Sequence, residues 1–152
     1  MVAIRAAGPT DAEAWFEMRC TLWPDDPVEE HRDEVDRFFD GRSLRQPWAV
    51  LVAEDRDGRV VGFTELSVRT YAEGCLTPRV AYLEGWFVDA GVRRQGVGAA
   101  LIAASETWGR SQGCTEFASD ADPDNAVSAS AHGALGFADV GLVRCFRKEL
   151  SS

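Results

Sequence analysis

The chain has little metal-binding chemistry. Its 152 residues include two histidines and four cysteines. Cys20, Cys75, Cys114 and Cys145 are irregularly spaced, with no C-x-x-C pair, so no zinc or other metal site is expected. The cysteines read as free, buried or half-buried thiols, and none is favoured as a nucleophile. No apolar run approaches the roughly 20 residues that span a bilayer, so no membrane partner is expected. Met1-Val2-Ala3-Ile4-Arg5 lacks the basic-then-apolar layout of a signal peptide, which makes the cytoplasm the expected location. Basic residues are few: 16 Lys and Arg stand against 25 Asp and Glu, a net charge of −9. That balance argues against nucleic acid as the main partner and favours encounter with cations. There is no internal repeat, low-complexity stretch or linker, so residues 1–152 are expected to form a single domain.

What is present is concentrated around one loop. Arg93-Arg94-Gln95-Gly96-Val97-Gly98 follows an apolar strand, Tyr82 to Val88, and precedes a helix with Val97, Ala100, Leu101, Ala104 and Trp108 at helical spacing. Glycines let a backbone turn its N–H groups inward, and a helix N-terminus adds unsatisfied donors and a positive dipole end. The loop reads as an anion cradle, most naturally for a pyrophosphate. It matches neither the P-loop pattern nor G-x-G-x-x-G.

The elements around it can be placed by pattern. Ala3–Ala7 reads as a strand, and Thr10-Asp11-Ala12-Glu13 as a capping box opening a helix with Trp15, Phe16, Arg19 and Leu22 on one side. Pro24 and Pro27 break it, and a second helix is expected from about Glu29 to Asp40. Trp48–Glu54 and Val60–Val68 flank Asp57-Gly58, a hairpin signal. After a loop, Thr70–Pro78, come a strand to Val88, the loop and helix to about Gln112, a strand Cys114–Ser119, a helix to Leu135, and one or two closing strands in Val140–Lys148. The order β-α-α-β-β-β-α-β-α-β-β predicts an α+β (mixed α/β) fold. Its central sheet is mixed and mostly antiparallel, with one parallel strand pair, and helices flank it.

The loop resembles the R-x-x-G-x-G/A acetyl-CoA loop of the GCN5-related N-acetyltransferase (GNAT) superfamily, whose element order is the same. Asn125, His132 and Leu135-Gly136-Phe137 resemble a second mark of that superfamily, with histidine where many relatives carry a tyrosine proposed to protonate the leaving thiolate. His132 either takes that part or packs and hydrogen-bonds at a helix end. Pieces spread along the chain are similar to the aminoglycoside 6'-N-acetyltransferases of bacterial antibiotic resistance. They are Leu22-Trp23-Pro24-Asp25 with Glu29-Glu30-His31, Tyr82 to Val88, Phe117-Ala118-Ser119-Asp120, and Val143 to Lys148.

The resemblance implies acetyl-CoA as co-substrate, a cationic aminoglycoside as acceptor, and a homodimer. It places Trp23, Tyr71, Glu84 and Asp120 at the aminoglycoside. It places Trp86, Phe87, Val88, Arg93, Arg94, Gln95, Gly96, Val97, Gly98 and Asn125 at acetyl-CoA. One departure is Gly141, where some relatives carry an acidic substrate contact; the role is not transferred to the nearby Asp139.

The chemistry of these residue types agrees. Ammonium groups on a sugar framework call for carboxylates and flat aromatic surface. Glu84, inside an apolar strand, either serves the substrate, pairs with an internal arginine or faces solvent. Asp120 either lines the pocket or caps the helix that begins near Asp122. Trp23 and Tyr71 are either ligand platforms or packing residues, and His31 could line the same pocket. The expected reaction is direct transfer, with Glu84 or Asp120 as the catalytic carboxylate that orients the amine and accepts its proton. Backbone N–H groups near Trp86–Val88 then face the oxyanion. Two other readings remain open: a GNAT enzyme for a polyamine or protein N-terminus, and a non-catalytic acyl-CoA sensor.

Overall fold

A computed structural model describes residues 1–42 and 47–151. Two compact units divide the chain, Met1–Asp120 and Ala121–Ser152. The first contains a five-stranded sheet in the order β1 (Ala3–Ala6), β2 (Ala49–Glu54), β3 (Val60–Arg69), β4 (Val80–Val88), β5 (Phe117–Ser119). All neighbours are antiparallel except β4 and β5, which pair in parallel over Ala81–Leu83 and Phe117–Ser119. This is the mixed sheet that the element order predicts. The β2–β3 turn forms at the predicted Asp-Gly: Asp55 Oδ1 accepts the N–H groups of Asp57 and Arg59, each at 2.9 Å.

Helices cover both faces, which is why β3 is buried almost throughout rather than alternating with solvent. On one face lie α1 (Ala12–Leu22) and α2 (Val28–Phe39), whose Trp15, Met18 and Val35 enclose Val50, Val52, Phe63 and Phe87. On the other lies α3 (Val97–Ser111), with Val97 and Leu101 against Ala53 and Val61. The side chains of β3 sort cleanly between these faces. Thr64 bonds Ser105 of α3 at 3.0 Å, whereas Glu65 bonds Trp15 of α1 at 2.9 Å. Phe63, Glu65, Ser67 and Arg69 therefore form a row on the α1–α2 side.

Two features of β4 open a place for a ligand. Opposite β3 the register jumps, with Glu65 facing Gly85 and Leu66 facing Leu83, so Glu84 is an extra, bulged residue. On its other side β4 loses its parallel partner after Leu83 yet continues to Val88, so the two strands part there.

The second unit contains α4 (Ala126–Ala134) and an irregular tail. The strands predicted within Val140–Lys148 do not form; residues 138–151 carry neither helix nor strand. The apolar pattern is real, but a strand exists only when its N–H and C=O groups join a ladder, and this segment forms none among the described residues. Val140, Leu142, Val143, Phe146 and Leu150 are consequently exposed. At the other end of the chain, Thr10 and Glu13 do not close a capping box. Instead Asp11 accepts the Gly8 N–H at 2.7 Å within a single 3-10 turn that leads into α1.

Candidate active site

Where β4 and β5 part, two carboxylates lie on the α1–α2 side of the sheet. The bulge carries Glu84 toward the β3 row. Arg69 grips it with two bonds, Nε to Oε2 at 2.9 Å and a terminal nitrogen to Oε1 at 2.6 Å. Ser67 Oγ donates to the same Oε2. Glu84 is thus the partner of an internal arginine, not a solvent-facing residue; its side chain is 12% exposed and that of Arg69 35%.

Asp120 follows directly on β5. Its Oδ2 accepts the hydroxyl of Tyr82 at 2.5 Å, and it forms no salt bridge among the described residues. It does not cap α4, which is the work of Asn125, whose Oδ1 accepts the Ser128 N–H at 3.0 Å. Arg69 lies 3.6 Å from the Tyr82 ring centre and so connects the two carboxylates through one aromatic face. Burial, then the bond to Asp120, holds the Tyr82 phenol above its ordinary range, so it stays a donor. Glu84 and Arg69 neutralise each other, and Asp120 leaves the group with one net negative charge. Such a group suits a cation.

Trp23 packs on β4 at the residue next to Glu84. Its indole lies so close to Gly85 that a Cβ there would stand 2.7 Å from the ring, and only glycine permits that approach. Behind it is a buried network that sequence reasoning missed. Arg19 donates to Glu65 Oε2 at 2.5 Å, with both side chains at most 10% exposed, and Trp15 Nε1 donates to the same oxygen at 2.9 Å. Burial pushes the Glu65 carboxyl upward, while Arg19 and Trp15 pull it back toward the ionised form. The Arg19 guanidinium also lies 4.8 Å from the Trp23 ring centre.

Tyr71 is 64% exposed and is not drawn into the carboxylate group. Its neighbour Ala72 is buried with Val80 and Tyr82, which pins that end of the loop beside the site. Further along the same loop, Glu116 accepts from the backbone of Leu76 and Thr77 and from the Thr77 hydroxyl, and these bonds hold its carboxyl below the usual range.

On the far side of the strand parting is the glycine loop. Arg93 Nε reaches back to the Val88 carbonyl at 3.3 Å, tying the loop to the end of β4. Arg94 and Gly96 both take left-handed backbone, at φ 65 and 80. Alternating conformations of this kind turn successive N–H groups to one side. Gly96 is the N-cap of α3, and no side chain caps that helix. Arg93, Arg94, Gln95, Gly96, Val97 and Gly98 therefore present a backbone cradle able to hold a phosphate anion. Phe87 is buried in the α1–α2 core and Trp86 and Val88 pack on the α3 side, so this stretch of β4 can contribute to a ligand through its backbone.

In the second unit, His132 Nδ1 lies 2.7 Å from the Ser128 carbonyl and its ring packs edge-on to Phe137. The peptide N–H of Gly141 is bound by the Asp139 side chain at 2.9 Å. Asn125 is engaged as a helix cap, and its side chain still carries donors for other use.

The side chains that bond within this region and were not read from the sequence as its partners are Ser67, Arg69, Glu65, Arg19 and Tyr82's hydroxyl. The available signal was the polar triplet in an apolar strand, Thr64-Glu65 and Ser67, whose meaning depends on register with β4.

Known proteins resemble this chain in sequence and in fold. The sequence profile of the acetyltransferase (GNAT) family matches residues 14–137. An aminoglycoside N(6')-acetyltransferase type 1 of Klebsiella aerogenes is 52% identical over 97% of this chain and 96% of its own length. A protein of the same name from Stenotrophomonas maltophilia is 40% identical over 97% of this chain and 93% of its own. Among solved structures, AAC(6')-Iy in complex with the bisubstrate analogue CoA-S-monomethyl-acetylneamine superposes with a TM-score of 0.89, at 36% identity, covering 99% of both chains.

Proposed function

The chain belongs to the acetyltransferase (GNAT) family, and from that premise we propose that it transfers the acetyl group of acetyl-CoA to the 6'-amine of aminoglycosides, a reaction that confers resistance. The observation that carries this reading is the juxtaposition at the β4–β5 parting. A backbone anion cradle lies on one side and a net-negative, aromatic-walled carboxylate group on the other. The 52% identity to an aminoglycoside N(6')-acetyltransferase supports the substrate class.

Transfer is direct, within a complex of both substrates. Arg93, Arg94, Gln95, Gly96, Val97 and Gly98 hold the pyrophosphate of acetyl-CoA, with Asn125 as a further coenzyme contact. Backbone groups of Trp86, Phe87 and Val88 align the thioester and meet the oxyanion as it develops. Asp120 takes the reacting amine, which must arrive as an ammonium and leave a proton behind. Its carboxylate accepts that proton directly or through water, the freed amine attacks the thioester carbonyl, and the C–S bond breaks as coenzyme A leaves as its thiolate. Glu84 is the second catalytic carboxylate, its charge shared with Arg69, and it orients the sugar ring that Trp23 and Tyr71 flank. Much of the acceleration comes from holding amine and thioester in attack geometry.

Residues 1–152 act as one acetyltransferase domain, and the enzyme is a homodimer. The exposed side chains of Val140, Leu142, Val143 and Phe146 support a second copy as their cover. A cytoplasmic location is part of the same reading, since acetyl-CoA is made and kept inside cells, and free Cys20, Cys75, Cys114 and Cys145 suit a reducing compartment.

The test is release of free thiol from acetyl-CoA by purified protein, with and without kanamycin or tobramycin. Saturable drug-dependent release, with product NMR placing the acetyl group on the 6'-amine, is the expected result. Release only with polyamines or peptides would overturn the substrate, and coenzyme binding without release to any amine would overturn catalysis. Light scattering on the eluted protein decides the dimer.

A further inference from the structure

His31 is a buried polar residue that the proposed reaction leaves without a task. It is 1% exposed, and both ring nitrogens are engaged. Arg19 Nε donates to Nδ1 at 3.3 Å. An arginine offers no acceptor, so Nδ1 must present its lone pair. The proton of the neutral ring then sits on Nε2, which lies 3.0 Å from the backbone carbonyl of Trp23 and donates to it. The environment selects one tautomer.

We propose that His31 is a positioning residue that fixes the Trp23 indole as the sugar-facing wall of the site. This rests on the aminoglycoside reading above. Trp23 is the C-cap of α1, in irregular backbone at φ −123 and ψ 71, so the helix holds its N–H but not its carbonyl. Its N–H is bound by the Arg19 carbonyl at 2.9 Å and its carbonyl by His31. Its ring lies nearly parallel to the imidazole, 16° between planes with centres 6.3 Å apart, and the Arg19 guanidinium approaches the same indole. Arg19 is in turn fixed by Glu65 on β3. A chain of contacts thus runs from the sheet, through Glu65, Arg19 and His31, to the indole that lies nearest Gly85 beside Glu84.

Two substitutions divide the chain of contacts. His31→Gln can place an amide N–H near the Nε2 position and keep the bond to Trp23. His31→Asn keeps an acceptor near Nδ1 for Arg19 and loses the bond to Trp23. Losing one such bond is worth roughly 1 kcal/mol, about fivefold. The aminoglycoside KM is therefore expected to rise about fivefold in His31→Asn and to stay within about twofold of wild type in His31→Gln. The acetyl-CoA KM and kcat should hold in both.

A second readout does not depend on the substrate. With 5-fluorotryptophan incorporated and the Trp23 line assigned by Trp23→Phe, the 19F resonance of Trp23 should shift or broaden in His31→Asn and remain in His31→Gln. If His31→Asn does not fold, Arg19→Lys replaces it: lysine keeps a cation for Glu65 and lacks the guanidinium that holds Nδ1 and the indole. The same KM split and line change are expected.

Indistinguishable Asn and Gln variants, or an equal rise in both substrates' KM, would overturn the proposal. A wild-type enzyme inactive on aminoglycosides would instead defeat the functional reading, and the fluorine spectrum would still decide the role of His31.

Discussion

Two carboxylates stand on the same face of the sheet, each bound by an arginine and each beside an aromatic ring, yet their surroundings divide them. Glu65 is sealed: its arginine and its tryptophan donor are buried with it, and its side chain is 4% exposed. Glu84 is itself only 12% exposed, but its pair is open through an arginine 35% exposed, with a hydroxyl as its other donor. A sealed pair cannot exchange its partner for a substrate, because leaving either charge alone in the interior costs several kcal/mol. An open pair can, since water and an incoming ammonium compete for the same oxygens. The same chemical unit is thus an anchor in one place and, in the proposed reaction, a binding element some residues away. Burial decides which.

The sharpest way to break the comparison is to remove the carboxylates one at a time. Glu65→Ala leaves Arg19 buried without its partner, and a loss of about 3–5 kcal/mol in urea-melt stability is expected, with both substrates affected. Replacing the pair together, Arg19→Met with Glu65→Leu, should restore most of that stability. It should not restore aminoglycoside affinity, because Trp23 loses its support. If Glu65→Ala melts like wild type, the sealed pair is no anchor.

Asp120 and Glu84 sharpen the contrast within the site. Asp120 bears the uncompensated charge, so Asp120→Asn should lower kcat/KM for the drug by about 100-fold while acetyl-CoA binding stays within about twofold. Glu84→Gln keeps the shape and releases Arg69. A rise in drug KM of about 10-fold with little change in melting is expected. Equal effects of the two substitutions would mean that Arg69 does not divide their roles. On the coenzyme side, Gly96→Ala forces an alanine into left-handed backbone at φ 80, a strain of about 1–2 kcal/mol. It should raise the acetyl-CoA KM about 5- to 30-fold and leave the drug KM alone.

How legible these regions were in the sequence depends on the same division. The cradle is local: its glycines and Arg93 stand within six consecutive residues, and the strand before and helix after are both periodic. Glu84 was visible as a carboxylate in an apolar strand, but its partner was not. Arg69 is 15 residues away, and the two meet only because the register of β3 and β4 slips by one at the bulge. Glu65 and Arg19 are 46 residues apart and meet because α1 lies on that face of the sheet. The predicted strands in Val140–Lys148 failed for a related reason. Alternation states that a segment could pair, and only another edge makes it a strand.

The smallest effect is expected from a third pair, which lies away from the site and serves as a control on the other two. Arg5 on β1 donates two bonds to Asp11, at 2.7 and 3.0 Å, and a further one to Glu54 at 2.7 Å. The bond from Arg5, outweighing burial, holds the Asp11 carboxyl below its ordinary value. A carboxylate whose folded-state value is depressed stabilises the fold above its unfolded value, near 3.9, and loses that stabilisation as pH falls through the folded value. Arg5 is 39% exposed, so solvent screening keeps the contribution to about 1 kcal/mol at neutral pH. Asp11→Asn should therefore lower stability by about that much at pH 7 and by progressively less below pH 4. At all pH values kcat/KM should be unchanged for both substrates. A change in kcat/KM would mean that Arg–carboxylate pairs anywhere on this sheet influence the site, and the distinction between sealed and open pairs would lose its meaning.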